Sequence, residues 1–285
     1  MRICRFNDGR VGVVDAESVI DVTSIIERLP KFSWPLPRGD VFIAALNTLM
    51  PELKRLSAVG KRWPLKAVRL LSPVANPGKI IGAPVNYALH LEEGRRDPGI
   101  HHNQPVKTIA EYGLFLKATS AHVGPGDGVV SNRSDRRTDH ELELAVVIGE
   151  AGRYISSEAA LEHVAGYAIA LDMTIRGTED RSQRKSLDSF AVLGPWLVTP
   201  DEFGDPGDAE LELTIDGRTR QKANTRELIF NVPRLIEYAS QHYTLEPGDI
   251  IMTGTPAGVG PVEPGDVLQC RIDRIGTMSV AVRSE

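Results

Sequence analysis

Residues 137–150 read RTDHELELAVVIGE. From Leu144 to Ile148 the run is unbroken and apolar, the pattern of a strand buried on both faces. Acids stand at its entrance: Asp139, then Glu141 and Glu143 two residues apart. Side chains two apart in a strand point to the same side, with roughly 6.5–7 Å between their Cα atoms. Leaving two such acids ionised and unpaired at a buried position is costly, so the pattern demands a neutralising partner. A second apolar run, VAGYAIALDM, also ends in an acid, Asp172. Three carboxylates at strand ends make a hard-oxygen site. It suits Mg2+ or Mn2+, with Ca2+ as a substitute, and does not suit zinc. Taken alone, an E-x-E pair also reads as a solvated strand edge.

The rest of the chain places these strands in a β-rich, α+β context. KIIGAPV, PWLVTP, ELELTIDG, DIIMTG and DVLQCRIDRIG are short apolar or alternating runs bounded by Gly, Pro and Asp. EPGD occurs at 246–249 and at 263–266 and fits a type II turn entering a strand. Helices are expected near 158–164 and over 232–242 after the cap Asn231. Residues 1–72 read as a small N-terminal domain. It has a hairpin around Asp8-Gly9, a helical stretch after Asp40 split by Pro51, and a proline-rich linker leading to a main domain over 73–285. Residues 94–112 are polar and aperiodic, as a functional loop would be.

Other clusters carry chemistry with less force. In GAPVNYALHLEEG, Asn86 can cap a helical turn that Gly94 ends. His90 and Glu93 then face the same way, so the carboxylate can orient the imidazole as a base toward water. A solvated surface turn is the competing account, and His101 and His102 belong to the polar loop. Lys185 stands three residues before Asp188, either binding a substrate carboxylate or closing a surface ion pair. TGTPAGVG, 253–260, offers amides and the hydroxyls of Thr253 and Thr255 to an anion, or is a plain hairpin connection.

A net charge of −5 over 285 residues argues against a nucleic-acid or anionic-membrane partner. No run is long and apolar enough to span a bilayer, and MRICRFNDGR lacks the core of a signal peptide. Cys4 and Cys270 read as reduced core thiols, so a cytoplasmic protein is expected.

In their order, IIGAPVNYALHLEE, DHELELAVVIGE, GYAIALDMTIRG, RKSLDSFAVLGPW and LEPGDIIMTGTPAGVG resemble the fumarylacetoacetate hydrolase family over residues 78–285. The resemblance implies a roll of mixed β-sheets with flanking helices, assembled as a homodimer. It implies Glu141, Glu143 and Asp172 as ligands of Mg2+ or Mn2+. It implies His90 as the residue that activates water and Glu93 as its partner on a lid helix. Lys185 would lie near metal and substrate, and Thr255 and Gly254 would bind substrate, Thr255 at a carboxylate. The implied substrate is a small-molecule 2-oxo acid. Hydrolysis of a C–C bond in an acylpyruvate from aromatic catabolism leads. Isomerase or decarboxylase chemistry on 2-hydroxymuconate-type diacids or oxaloacetate follows, and a metal-binding protein without turnover is the third reading. The sequence departs from the family pattern at Gly177-Thr178-Glu179, where Asp and Gln are common, and at His140, where Tyr is frequent.

Overall fold

The structure is a computed structural model and describes residues 1–131 and 135–284. Its centre is a 12-stranded mixed sheet. Along the chain its main strands are β1 (Arg2–Phe6), β2 (Arg10–Asp15), β3 (Ser18–Asp21), β4 (Arg62–Pro64), β5 (Ile80–Gly82), β6 (Phe115–Lys117), β7 (Leu142–Ile148), β8 (Val164–Asp172), β9 (Ala191–Val198) and β10 (Ile250–Met252). Their spatial order is β4-β3-β2-β1-β9-β8-β7-β10-β5-β6. Most pairs are antiparallel, and β10 with β5 is parallel. A 5-stranded sheet, built largely from residues 210–284, packs against one face, and a small 3-stranded sheet lies at one end.

Alternation along the central strands explains the layering. In β7, Leu142, Leu144, Val146 and Ile148 join the core shared with the second sheet, while Ala145 and Val147 face the other way. In β8, Tyr167, Ile169 and Leu171 follow the first set, and Ala165, Ala168 and Ala170 the second. The alanine-lined face leaves room for a helix. Helix α1 (Val41–Val59) lies over it, burying Ile43, Leu46, Leu49 and Leu53. Asp40 caps α1 as expected, accepting from the amides of Phe42 and Ile43. The helix runs unbroken through Pro51. One lost backbone hydrogen bond is outweighed by its four core side chains, each worth about 1.5–3 kcal/mol when fully buried.

The boundary drawn at residue 72 is crossed by this sheet, because β1 pairs with β9 at Arg2↔Val198 and Ile3↔Leu197. The stretch read as a linker contributes β4 and a short strand, Leu70–Leu71, paired with β1. The hairpin at Asp8-Gly9 forms. Gly248 and Gly265 adopt the positive φ of the two EPGD turns. A second long helix, Val232–His242, starts at Asn231, whose side chain accepts from the Arg234 amide. The helix expected near 158–164 is a short 3-10 turn, Ala160–His163. Both cysteines are buried and free, and among the described residues no helix is long and apolar enough to cross a membrane.

Candidate active site

Antiparallel pairing of β7 with β8 brings the start of one strand to the end of the other. The Asp172 amide donates to the Glu141 carbonyl at 2.9 Å, which locks that corner. Glu143 and Asp172 continue the small-residue face set by Ala145, Ala168 and Ala170. The result is that Glu141, Glu143 and Asp172, all buried, each present an oxygen within 4.8 Å of the others. Among the described residues this is the one His, Cys, Asp and Glu cluster with metal-holding geometry. His101 stays at the pocket rim, accepting from the Asn103 amide.

Charge around the triad is organised by four buried or half-buried cations. Lys185 gives Glu141 Oε2 a hydrogen bond of 2.7 Å, Asp172 Oδ2 one of 2.6 Å and Thr174 Oγ1 one of 2.6 Å. An ammonium has three donors, so all are used, and the surface ion pair with Asp188 does not form. Lys117, fully buried on β6, holds Asp172 from behind. Arg176 Nη2 lies 2.9 Å from Glu141 Oε1 as an ion pair without hydrogen-bond geometry. Its Nε donates to Asp139 Oδ2 at 2.7 Å, and Arg137 grips both oxygens of Asp139.

These neighbours split the triad. Burial would raise the Glu141 carboxyl, but Lys185 and Arg176 outweigh it and hold the group below the ordinary carboxylate range. Glu143 goes the other way: burial, then the charges of Asp172 and Glu141, push it well up. Its own partner is the Gly254 amide, 2.6 Å from Oε2. Hard oxygens crowded without enough positive charge are what a divalent cation relieves, so the donor set fits such an ion.

The segment after β10 forms the adjoining wall. Gly254 has φ +101, and a Cβ there would stand 2.6 Å from the Asn86 Cβ, so glycine alone lets its amide turn onto Glu143. That amide is thereby committed to the carboxylate. The hydroxyls of Thr253 and Thr255 donate to the carbonyls of Leu144 and Leu142, each at 2.9 Å. Thr255 Oγ1 also accepts from Gln221 Nε2 at 2.7 Å, while Gln221 Oε1 accepts from the Leu142 amide and from His140 Nδ1. The loop is not a plain hairpin connection, because β10 before it belongs to the central sheet and Gly260–Pro261 after it to the 3-stranded sheet, and the Thr253 hydroxyl is spent on the backbone. Thr255 does line the pocket.

Helix α2 (Ala88–Arg96) covers the site with His90 and Glu93 on one face. Asn86 lies just before it and ties three segments together instead of capping it, donating to the carbonyls of Phe230 and Thr253 and accepting from the Phe230 amide. His90 Nδ1 is 2.8 Å from Glu93 Oε2, and Glu93 Oε1 accepts from the Gly258 amide at 2.8 Å. The pair is thus oriented from both sides, and His90 lines the same cavity, of about 280 Å³, as the triad, Lys185 and Thr255. The polar stretch after α2 folds into two short helices, Pro98–His101 and Ile109–Tyr112, which complete the cavity's roof.

The model of the family described as fumarylacetoacetate (FAA) hydrolase, C-terminal, matches residues 79–283. The chain belongs to the fumarylacetoacetate hydrolase family. Within the family it is 52% identical over 286 residues to maleylpyruvate hydrolase of Aquipseudomonas alcaligenes, covering 100% of both chains. It is 36% identical over 278 residues to a mitochondrial oxaloacetate tautomerase of Bos taurus, covering 91% of this chain and 82% of that one. A crystal structure of maleylpyruvate hydrolase from Sphingobium sp. SYK-6 in complex with manganese(II) ion and pyruvate superposes with a TM-score of 0.84. Its identity is 39%, covering 100% of this chain and 99% of that one. The mixed-sheet roll expected of the family is the fold observed.

Lys117, Arg176 and Gln221 are not among the site residues expected from the sequence. Lys117 had a signal: a lone charge in the strand-like FLK after Leu114 must find a partner if it is buried. Gln221 had none, since it sits in a polar, mostly exposed strand and only pairing turns it inward.

Proposed function

We propose that this chain is a divalent-metal-dependent hydrolase that splits a C–C bond of an acylpyruvate in aromatic catabolism. The observation that carries the reading is the His90–Glu93 pair, doubly anchored and opening onto the same cavity as the acidic triad. The full-length likeness to maleylpyruvate hydrolase, and the manganese and pyruvate of the related crystal structure, support it.

Glu141, Glu143 and Asp172 would hold the cation, which when bound supplies Lewis-acid polarisation of an oxo acid. The remaining chemistry belongs to the chain. Glu93 accepts from Nδ1 of His90, which leaves Nε2 as the basic nitrogen facing the cavity. Nε2 takes a proton from water, and the water oxygen adds to the 4-carbonyl carbon of the 2,4-dioxo acid. The C3–C4 bond then breaks. Its electron pair passes into the enol of pyruvate, C4 leaves as a carboxylic acid, and a proton returns to C3. Lys185, already on two of the triad carboxylates, is placed to balance the negative charge that develops. Thr255 bounds the carboxylate end of the pocket, with Gly254 acting through Glu143. A homodimer in the cytoplasm belongs to the same proposal, and light scattering tests the assembly.

His90→Ala should lower pyruvate release by about 10²–10⁴-fold in the presence of Mn2+. An unchanged rate would reject the base role. Keto–enol interconversion of oxaloacetate by the wild-type protein, with no hydrolysis of any acylpyruvate, would move the reading to the tautomerase class of its relatives.

A further inference from the structure

The cavity carries two guanidinium groups that the chemistry above does not use. Arg181 and Arg184 lie on the short helix Arg181–Arg184, which ends at Lys185. The Lys185 amide donates to the Arg181 carbonyl at 3.0 Å, so the two residues are one turn apart and their side chains share a face. Lys185 reaches inward to the triad. Arg181 therefore enters the cavity one turn further out, about 5.4 Å along the helix axis.

Arg181 is seated there in an unusual way. Its guanidinium carbon lies 3.7 Å from the centre of the Tyr112 ring, and among the described residues it has no acidic partner. Tyr112 is itself fixed, its hydroxyl donating to the Pro105 carbonyl at 2.9 Å. The two acids nearest in sequence are occupied: Glu179 is gripped by Arg136 through both oxygens, and Asp180 accepts from the Ser182 amide. Arg184 donates through Nε to the Glu179 carbonyl at 2.8 Å and through Nη1 to the Ile175 carbonyl at 3.3 Å, both neutral acceptors. Burial, then the charges of Arg176 and Arg181, lower its proton affinity.

We propose that Arg181 and Arg184 form the seat of a second, distal carboxylate, so that the pocket selects 2,4-dioxo diacids over monocarboxylic acylpyruvates. This rests on the acylpyruvate reading. One carboxylate and its neighbouring oxo group lie at the triad, and the acyl chain runs outward along the helix until its terminal carboxylate meets the two guanidiniums. Aromatic stacking holds the Arg181 fork ready without satisfying its donors, and planar guanidinium suits bidentate carboxylate recognition.

The test is the ratio of kcat/KM for a diacid acylpyruvate, maleylpyruvate, to that for acetylpyruvate, measured with Mn2+. A ratio does not depend on how much of a variant is folded. Wild type should show a ratio well above one. Arg181→Gln should lower it by about 10–100-fold, the loss expected for a charge-assisted hydrogen bond. Arg181→Lys should fall between, keeping charge but losing the fork. A ratio near one in wild type, or the same ratio in Arg181→Gln as in wild type, would overturn the proposal while leaving the hydrolase reading intact. Pyruvate released from neither substrate by wild type would overturn that reading and the proposal with it.

Discussion

At the scale of single residues, each acid of the triad has a distinct set of neighbours. Glu141 faces Lys185 and Arg176, Asp172 faces Lys185 and Lys117, and Glu143 has only a backbone amide. Lys117 is the sharpest case, since its side chain is 0% exposed. Replacing it with Met should cost about 3 kcal/mol, the low end for a broken buried pair, because Lys185 stays on Asp172. Urea unfolding measures this, and a loss under about 1 kcal/mol would mean that Asp172 does not depend on it. The triad was legible in sequence because acids interrupting apolar runs are conspicuous. The oxygens' mutual approach was not, since it depends on β7 and β8 pairing in one register. Lys185 was foreseen near the site, but its full commitment to three acceptors needed the three-dimensional arrangement. The seat at Arg181 was invisible for the same reason: its Tyr112 platform comes from a segment nearly seventy residues earlier.

At the scale of elements, caps and latches decide whether the site is held in place. Asp40 serves α1 with one oxygen, on the Phe42 and Ile43 amides, and ties down the Ala75 and Asn76 amides with the other. Asp40→Ala should therefore cost about 2 kcal/mol, the top of the range for a helix cap, read from chemical denaturation. Near the lid, Arg137 links Asp97, at the end of α2, to the buried Asp139. Burial would raise the Asp97 carboxyl, but Arg137 and the Gly99 amide hold it below its ordinary value. A depressed folded-state pKa contributes stability that is complete above the unfolded value of about 3.9 and lost as pH falls through the folded one. Thermal unfolding should thus lose stability below about pH 4, and Asp97→Asn should flatten that dependence. Identical pH profiles would show that the latch does not form. The alternation of the central strands and the turns that bound them were readable from local pattern. The unbroken α1 was not, because tertiary burial overrode the proline, and the order of β1 beside β9 was not, because it joins residues almost two hundred apart.

At the scale of the whole molecule, the first 72 residues act as one wall of the catalytic sheet. They supply β1 to β4 at its edge and α1 over its alanine-lined face. A chain reduced to 73–285 would expose Ala145, Val147, Ala168 and Ala170 with the apolar residues around them. Such a chain should be aggregated or poorly folded by size exclusion and circular dichroism, and a monodisperse, cooperatively melting product would contradict this. The wall matters for chemistry because β7 and β8, whose alanine-lined face it covers, carry Glu143 and Asp172 toward their ends, so the sheet's integrity sets the spacing of the triad. The central claim is that those three carboxylates hold the divalent ion on which acylpyruvate cleavage depends. It is tested most directly by stripping the protein of metal and following pyruvate release from maleylpyruvate as Mn2+ is returned. The account predicts little activity in the stripped protein and saturable recovery on adding Mn2+, with Glu143→Gln needing at least about 10-fold more ion. Full-rate pyruvate release from the stripped protein, or recovery in Glu143→Gln at the wild-type concentration of Mn2+, would contradict it.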